Sequence, residues 1–131
     1  MKKIPLGIVA IAVIMFFVAL ATDIFWLVKL VGRGFPSTMP LSPEVYNAFA
    51  LPDLLLSLFL YVGAFGLINL KRYGFMAALI GMGMWIFDCL LVLGITKLSR
   101  ISIVGPSLFF AVFTIFYLWV RKELFDQVGQ G

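Results

Sequence analysis

Apolar residues gather in four long runs, and polar residues gather between them. The runs extend from about Pro5 to Val31, Pro52 to Leu70, Tyr73 to Thr96 and Ile101 to Val120. A helix rises 1.5 Å per residue, so about 20 residues cross a hydrocarbon core of ~30 Å. Each run reaches that length. Lys71-Arg72, Lys97-Leu98-Ser99-Arg100 and Arg121-Lys122-Glu123 punctuate the ends. The pattern predicts an all-α fold: a polytopic membrane protein built as a four-transmembrane-helix bundle. Its helices cover about 5–31, 52–70, 73–96 and 101–120 of a single transmembrane domain spanning 1–131.

The first run imitates a secretory signal, with Lys2 and Lys3 ahead of Leu6–Leu20 and a small-residue box at Ala19-Leu20-Ala21. It continues past Asp23 through Ile24-Phe25-Trp26-Leu27-Val28, however, and therefore reads as the first spanning helix. The long connector, 32–51, carries Pro36, Pro40 and Pro43. Within it Ser42-Pro43-Glu44 has the form of a helix start, with Ser42 as N-cap and Pro43 in the first position. A short interfacial helix over about 43–50 is expected there. A connector of this length is either a lid or a spacer lying on the membrane. The tail after Glu123 is polar and expected to fray.

Composition supports the membrane assignment. The chain is 63% hydrophobic and 12% charged, with a mean hydropathy of +1.14; soluble domains carry about twice that charged fraction. The net charge of +4 arises from Lys and Arg at the ends of the runs, the ordinary flanking position in a membrane protein, and so gives no reason to expect nucleic acid as a partner. With the termini inside, Lys2, Lys3, Lys71, Arg72, Arg121 and Lys122 are cytoplasmic, and Lys29, Arg33, Lys97 and Arg100 are outside. The excess of basic residues on the first side orients both termini to the cytoplasm of a multi-pass cell-membrane protein. There is no histidine and one cysteine, Cys89. That removes the commonest general base, the usual zinc ligand and any internal disulfide, and no cofactor is identified.

The residue that calls for explanation is Asp88, inside the apolar run Trp85-Ile86-Phe87-Asp88-Cys89-Leu90-Leu91. An ionisable group at that depth costs about 2.5–3.5 kcal/mol on insertion scales. Residues three and four apart share a helix face. Gly74, Ala77, Ala78, Gly81, Trp85, Asp88 and Val92 form one stripe, Asp53, Ser57, Tyr61 and Ala64 another, and Ser107, Ala111 and Thr114 a third. If the stripes face inward, Asp23, Asp53 and Asp88 meet Ser57, Tyr61, Trp85 and Ser107 in the outer half of the bundle. The expected site is an outward-facing acidic pocket that binds or transports a cation, a proton or a protonated amine.

Each member also has a plainer role. Asp53 would cap its helix after Pro52. Asp23 would pair with Lys29, Arg33 or Lys97, and Asp88 with Lys97 or Arg100 reaching down. Ser57, Tyr61, Ser107 and Thr114 would be interhelical glue. The alternative function is a non-transporting accessory or assembly subunit whose small residues (Gly74, Ala78, Gly81 or Gly63-Ala64-Gly66) bind a partner membrane protein. Membrane lipid is a partner in either case, and so little interior volume points to a homo-oligomer or a partner protein. An intramembrane enzyme acting on lipid or quinone is the weakest reading, because no nucleophile–base pair or metal motif is visible.

Overall fold

The computed structural model describes residues 3–32 and 42–126. Lys2, Arg33, Pro36, Pro40 and the remainder of the proposed lid over 33–41 lie outside the described residues, as does the tail beyond Asp126. Within them the chain is all-helical: α1 (Leu6–Leu30), α2 (Pro43–Ala48), α3 (Ala50–Ile68), α4 (Arg72–Ile95), α5 (Ile101–Val120) and α6 (Glu123–Asp126). α1, α4, α5 and the joined span Pro43–Ile68 are each long and apolar enough to cross a membrane.

The four long helices run up and down in turn. α3 packs between α1 and α4, and α4 packs between α3 and α5. One end of the bundle gathers the chain termini, with the Tyr117 hydroxyl lying against Gly7. The other end, here the loop end, carries α2. The buried core lies toward the termini. It draws Ile8, Ile11, Ala12 and Met15 from α1, Leu60, Ala64 and Leu67 from α3, Ala78 and Met82 from α4, and Ala111 and Leu118 from α5.

The tightest seam is between α3 and α4. A Cβ added at Gly66 or Gly74 would collide with the backbone of the other, and one at Gly63 would come within 3.1 Å of the Ala78 Cα. Apolar side chains gain little from leaving lipid for protein, so close backbone approach and dispersion hold such helices together. Along this seam Gly63 of α3 lies against Ala78 of α4, Gly66 against Gly74, and Gly81 of α4 against the Leu60 side chain.

The short turns use left-handed residues. Leu70 (φ 51°) closes α3, where the Lys71 N–H donates to Gly66 O at 2.8 Å. Lys97 (φ 50°) and Leu98 (φ 63°) close α4, where the Leu98 N–H donates to Leu93 O at 2.9 Å. Both are six-to-one closures of a helix C-terminus. The Ser42 hydroxyl accepts the Val45 N–H and caps α2. α2 then runs almost directly into α3, which starts at Ala50, two residues before Pro52. Proline is tolerated there because first-turn N–H groups lack intrahelical partners. The tail is not wholly frayed: α6 returns Phe125 to the bundle, 1% exposed and stacked on Phe75 at 5.2 Å between ring centroids.

Candidate functional site

In the loop-end half the helices part around a cavity of about 410 Å³. α1 contributes Val18, Thr22, Phe25 and Trp26; α3 contributes Asp53 and Leu56. α4 contributes Trp85, Asp88, Cys89 and Val92, and α5 contributes Ile103, Val104 and Ser107, while Tyr46 and Phe49 close the top. These α1 and α4 sets recur at helical spacing, which puts each on one face.

Two carboxyl groups meet inside. Asp53 and Asp88 both line the cavity and are close enough to influence each other electrostatically. Asp53 does not cap α3, whose start has no side-chain cap. Its Oδ2 instead accepts the Trp26 indole N–H at 2.8 Å, a bond that ties α1 to α3 across the cavity wall. A buried indole requires such an acceptor. Asp88 Oδ2 is buried with no hydrogen-bond donor. Among the described residues no Lys or Arg lines the cavity, so a basic side chain does not plug it there. Lys29 stands above, its Nζ 3.4 Å from the Tyr46 ring centroid and 4.9 Å from that of Trp26. It is held by the aromatic faces rather than sent into the acidic pair.

Of the seven residues expected from sequence, Asp53, Asp88, Trp85 and Ser107 share this cavity. Asp23, Tyr61 and Ser57 do not. Asp23 is near enough to Tyr61 on the α1–α3 flank to act on it electrostatically and lines a second hollow of about 720 Å³ with Lys29 and Asn47. Trp26 is the wall between the two spaces, since it lines both. Tyr61 packs edge-on against Phe16 at 5.5 Å. Ser57 is buried and spends its hydroxyl on Leu54 O at 2.9 Å.

The reason is rotation. Each residue turns a helix by about 100°. Asp23 comes one residue after Thr22 and is swung off the cavity face, and Tyr61, eight residues after Asp53, is displaced by about 80°. Thr114, a third-stripe member, is fully buried and its hydroxyl has no partner, but it sits deeper, in the termini-end core beside Ala111 and Leu118.

The residues not anticipated are Trp26, Phe25, Thr22 and Tyr46. Trp26 reads in sequence as an interfacial belt residue. The signal that finds it is the antiparallel register of α1 and α3: Met15 lies against Gly63, and stepping eleven residues up α1 and ten back along α3 sets Trp26 opposite Asp53.

Chemically, the cavity offers two carboxylates and the hydroxyls of Thr22, Tyr46 and Ser107 on otherwise aromatic and aliphatic walls. No group of three or more Cys, Asp or Glu side chains converges as a metal-binding set among the described residues. Comparison with protein-family models, with curated proteins and with solved structures finds no match to this chain.

Proposed function

We propose that the chain is a multi-pass protein of the cell membrane, and that its acidic cavity binds or transports a cation through the Asp53–Asp88 pair. The observation that carries this is the pair itself. Two carboxyl groups that influence each other electrostatically line one largely apolar cavity, and one of their oxygens is buried with no donor. Removing a carboxylate from water without a partner costs several kcal/mol. A cation seated against both groups offsets that cost.

The membrane setting rests on the outer surface of the bundle. Leu6, Phe17, Leu27, Phe65, Phe87, Phe109 and Phe116 all point outward and exposed, far more apolar surface than a soluble monomer leaves in water. Lys3, Lys71, Arg72, Arg121 and Lys122 cluster at the termini end. Arg121 and Lys122 each lie 4.9 Å over an aromatic ring, Tyr117 and Trp119, as side chains at a membrane boundary do. By the positive-inside rule the termini are cytoplasmic and the cavity belongs to the outer half.

The test is uptake and binding by reconstituted protein. Wild type is expected to show saturable, cation-dependent binding or flux in liposomes, and Asp53→Asn and Asp88→Asn each to weaken it by about tenfold to a hundredfold, the worth of a charged hydrogen bond. Cys89, the only cysteine, lines the cavity and gives a second readout: a bound cation should slow its alkylation by maleimide. Folded Asp88→Asn protein with wild-type flux and wild-type protection of Cys89 refutes the proposal.

A further inference from the structure

The shape of the cavity narrows the class of cation. We propose that the site takes a protonated primary amine with an apolar body, the ammonium on Asp53 and Asp88 and the hydrocarbon lying along the seam between α1 and α5, through which it enters from lipid. This rests on the cation-binding, membrane-embedded reading above.

Three observations carry it. The first is the mismatch between polar groups and volume. A cavity of about 410 Å³ has the size of a site for a small organic molecule, yet its hard oxygen donors are few. Ca²⁺ takes six to eight oxygens, and Mg²⁺ demands a near-ideal octahedron. Here the carboxylates of Asp53 and Asp88 and the hydroxyls of Thr22, Tyr46 and Ser107 stand among Phe25, Trp85 and Val104, with the Thr22 hydroxyl already donating to Val18 O and Asp53 Oδ2 already accepting the Trp26 N–H, a lining that suits an organic cation better than a bare ion.

The second observation is donor demand. Asp88 Oδ2 has no donor, and Asp53 Oδ2 accepts the Trp26 indole N–H. A primary ammonium carries three N–H groups, enough to serve Asp53, Asp88 and Ser107 together. A quaternary ammonium carries none.

The third is the open side. Among the described residues α5 packs chiefly on α4, and Tyr117 meets Gly7 at the termini end. In the loop-end half, Val18, Thr22 and Phe25 of α1 and Ile103, Val104 and Ser107 of α5 face each other across the cavity. Ile103 is 65% exposed at its rim, on the surface assigned to lipid. An amphiphile dissolved in the bilayer therefore meets an apolar opening with the acids behind it, and its tail need not cross water.

The experiment is equilibrium binding of radiolabelled n-alkylamines to the protein in lipid nanodiscs, corrected with empty nanodiscs and referred to free aqueous amine. Methylamine, butylamine, hexylamine and octylamine are compared with octyltrimethylammonium and with Na⁺. Saturable binding should tighten by about three- to fourfold per methylene, the value of a buried CH₂. Octyltrimethylammonium should bind at least about tenfold more weakly than octylamine, for want of N–H donors. Ile103→Trp, a change at an exposed rim position, should weaken octylamine by a larger factor than butylamine.

Binding that depends on Asp53 and Asp88 but ignores tail length, or prefers Na⁺, overturns the amine assignment and leaves the cation reading standing. Equal loss for octylamine and butylamine in Ile103→Trp overturns the placement of the tail. No carboxylate-dependent binding of any of these cations removes the cation reading itself.

Discussion

The α3–α4 seam makes a prediction whose sign changes from one glycine to the next on the same pair of helices. Substituting alanine for a helical glycine ordinarily gains stability, about 0.8–1.0 kcal/mol in a helix interior, because alanine loses less backbone entropy. Gly83 of α4 has nothing within 4 Å of an added Cβ, so Gly83→Ala should realise that gain. At Gly74 the added Cβ would fall on the Gly66 Cα and carbonyl carbon, and at Gly66 it would fall on the Gly74 Cα. Both obstacles are backbone, so no rotamer change relieves them, and the helices must separate. Overpacking of this kind costs about 1–3 kcal/mol, and separating the helices also loses dispersion along Gly63, Ala64 and Ala78.

The two effects together place Gly66→Ala and Gly74→Ala roughly 2–4 kcal/mol below Gly83→Ala. Gly81→Ala lies between, because its nearest obstacle is the flexible Leu60 Cδ2 at 3.1 Å. Thermal unfolding in detergent, followed by intrinsic tryptophan fluorescence, should separate the extremes by on the order of 10 °C at a few degrees per kcal/mol. Gly74→Ala melting with Gly83→Ala, or above wild type, would show that the seam is not closed on these glycines and would sink the packing argument.

Two further outcomes test the helix ends. Leu98 is 59% exposed and held at φ 63°, so Leu98→Gly should raise stability by about 1 kcal/mol by relieving a left-handed residue, whereas Leu70→Gly, at φ 51° but with a buried side chain, should lower it. Equal responses in a denaturation series would refute the strain argument. Phe125→Ala should undock α6 at a cost of about 3 kcal/mol, the lower end for a core Phe. Hydrogen exchange should then show 121–126 losing protection while α4 keeps it, and unchanged protection of 121–126 would mean that the Phe75–Phe125 stack does not hold the tail.

The helices were legible because hydropathy and length are one-dimensional signals. Four runs of spanning length are four helices here, and Gly-, Pro- and Lys/Arg-marked ends fall within one or two residues of the observed ends, the widest gap being at α3. There Pro52 imitates a first-turn proline because it is one: the turn begins at Ala50, and the Asp53 N–H already donates to Phe49 O at 2.9 Å. Ser42 and Pro43 had supplied an earlier start, so Asp53 is a first-turn acid with no cap to make. Its carboxyl is then free to take the Trp26 indole. The start of the tail departs from its polar composition for a related reason. Arg121, Lys122, Glu123 and Asp126 dominate its composition, yet Phe125, stacked on Phe75, and Leu124 pack it against the bundle.

The site was legible in its depth and only partly in its direction. Depth follows from counting residues along a helix, and counting puts Asp88 at the level of Ser107, below Asp53 near the outer boundary, all in the outer half of the bundle. Direction follows from the rotation of each helix against its neighbours, and a stripe with steps of four drifts by about 40° at each step. One step keeps Ser57 in the interior, although it faces Leu54 O and not the cavity. Two steps carry Tyr61 to the α1 flank, where it meets Asp23. The α4 stripe keeps its heading because its steps alternate between three and four: Gly74, Ala78, Gly81, Trp85, Asp88, Val92. Its lower half is locked against α3 by glycine contact, and its upper half is thereby aimed into the cavity. The same glycines that close the seam at the termini end thus fix the rotation of Asp88 about 14 residues away. That couples packing to chemistry: Gly74→Ala, by turning or displacing α4, should alter the reactivity of Cys89 in the cavity as well as the melting temperature.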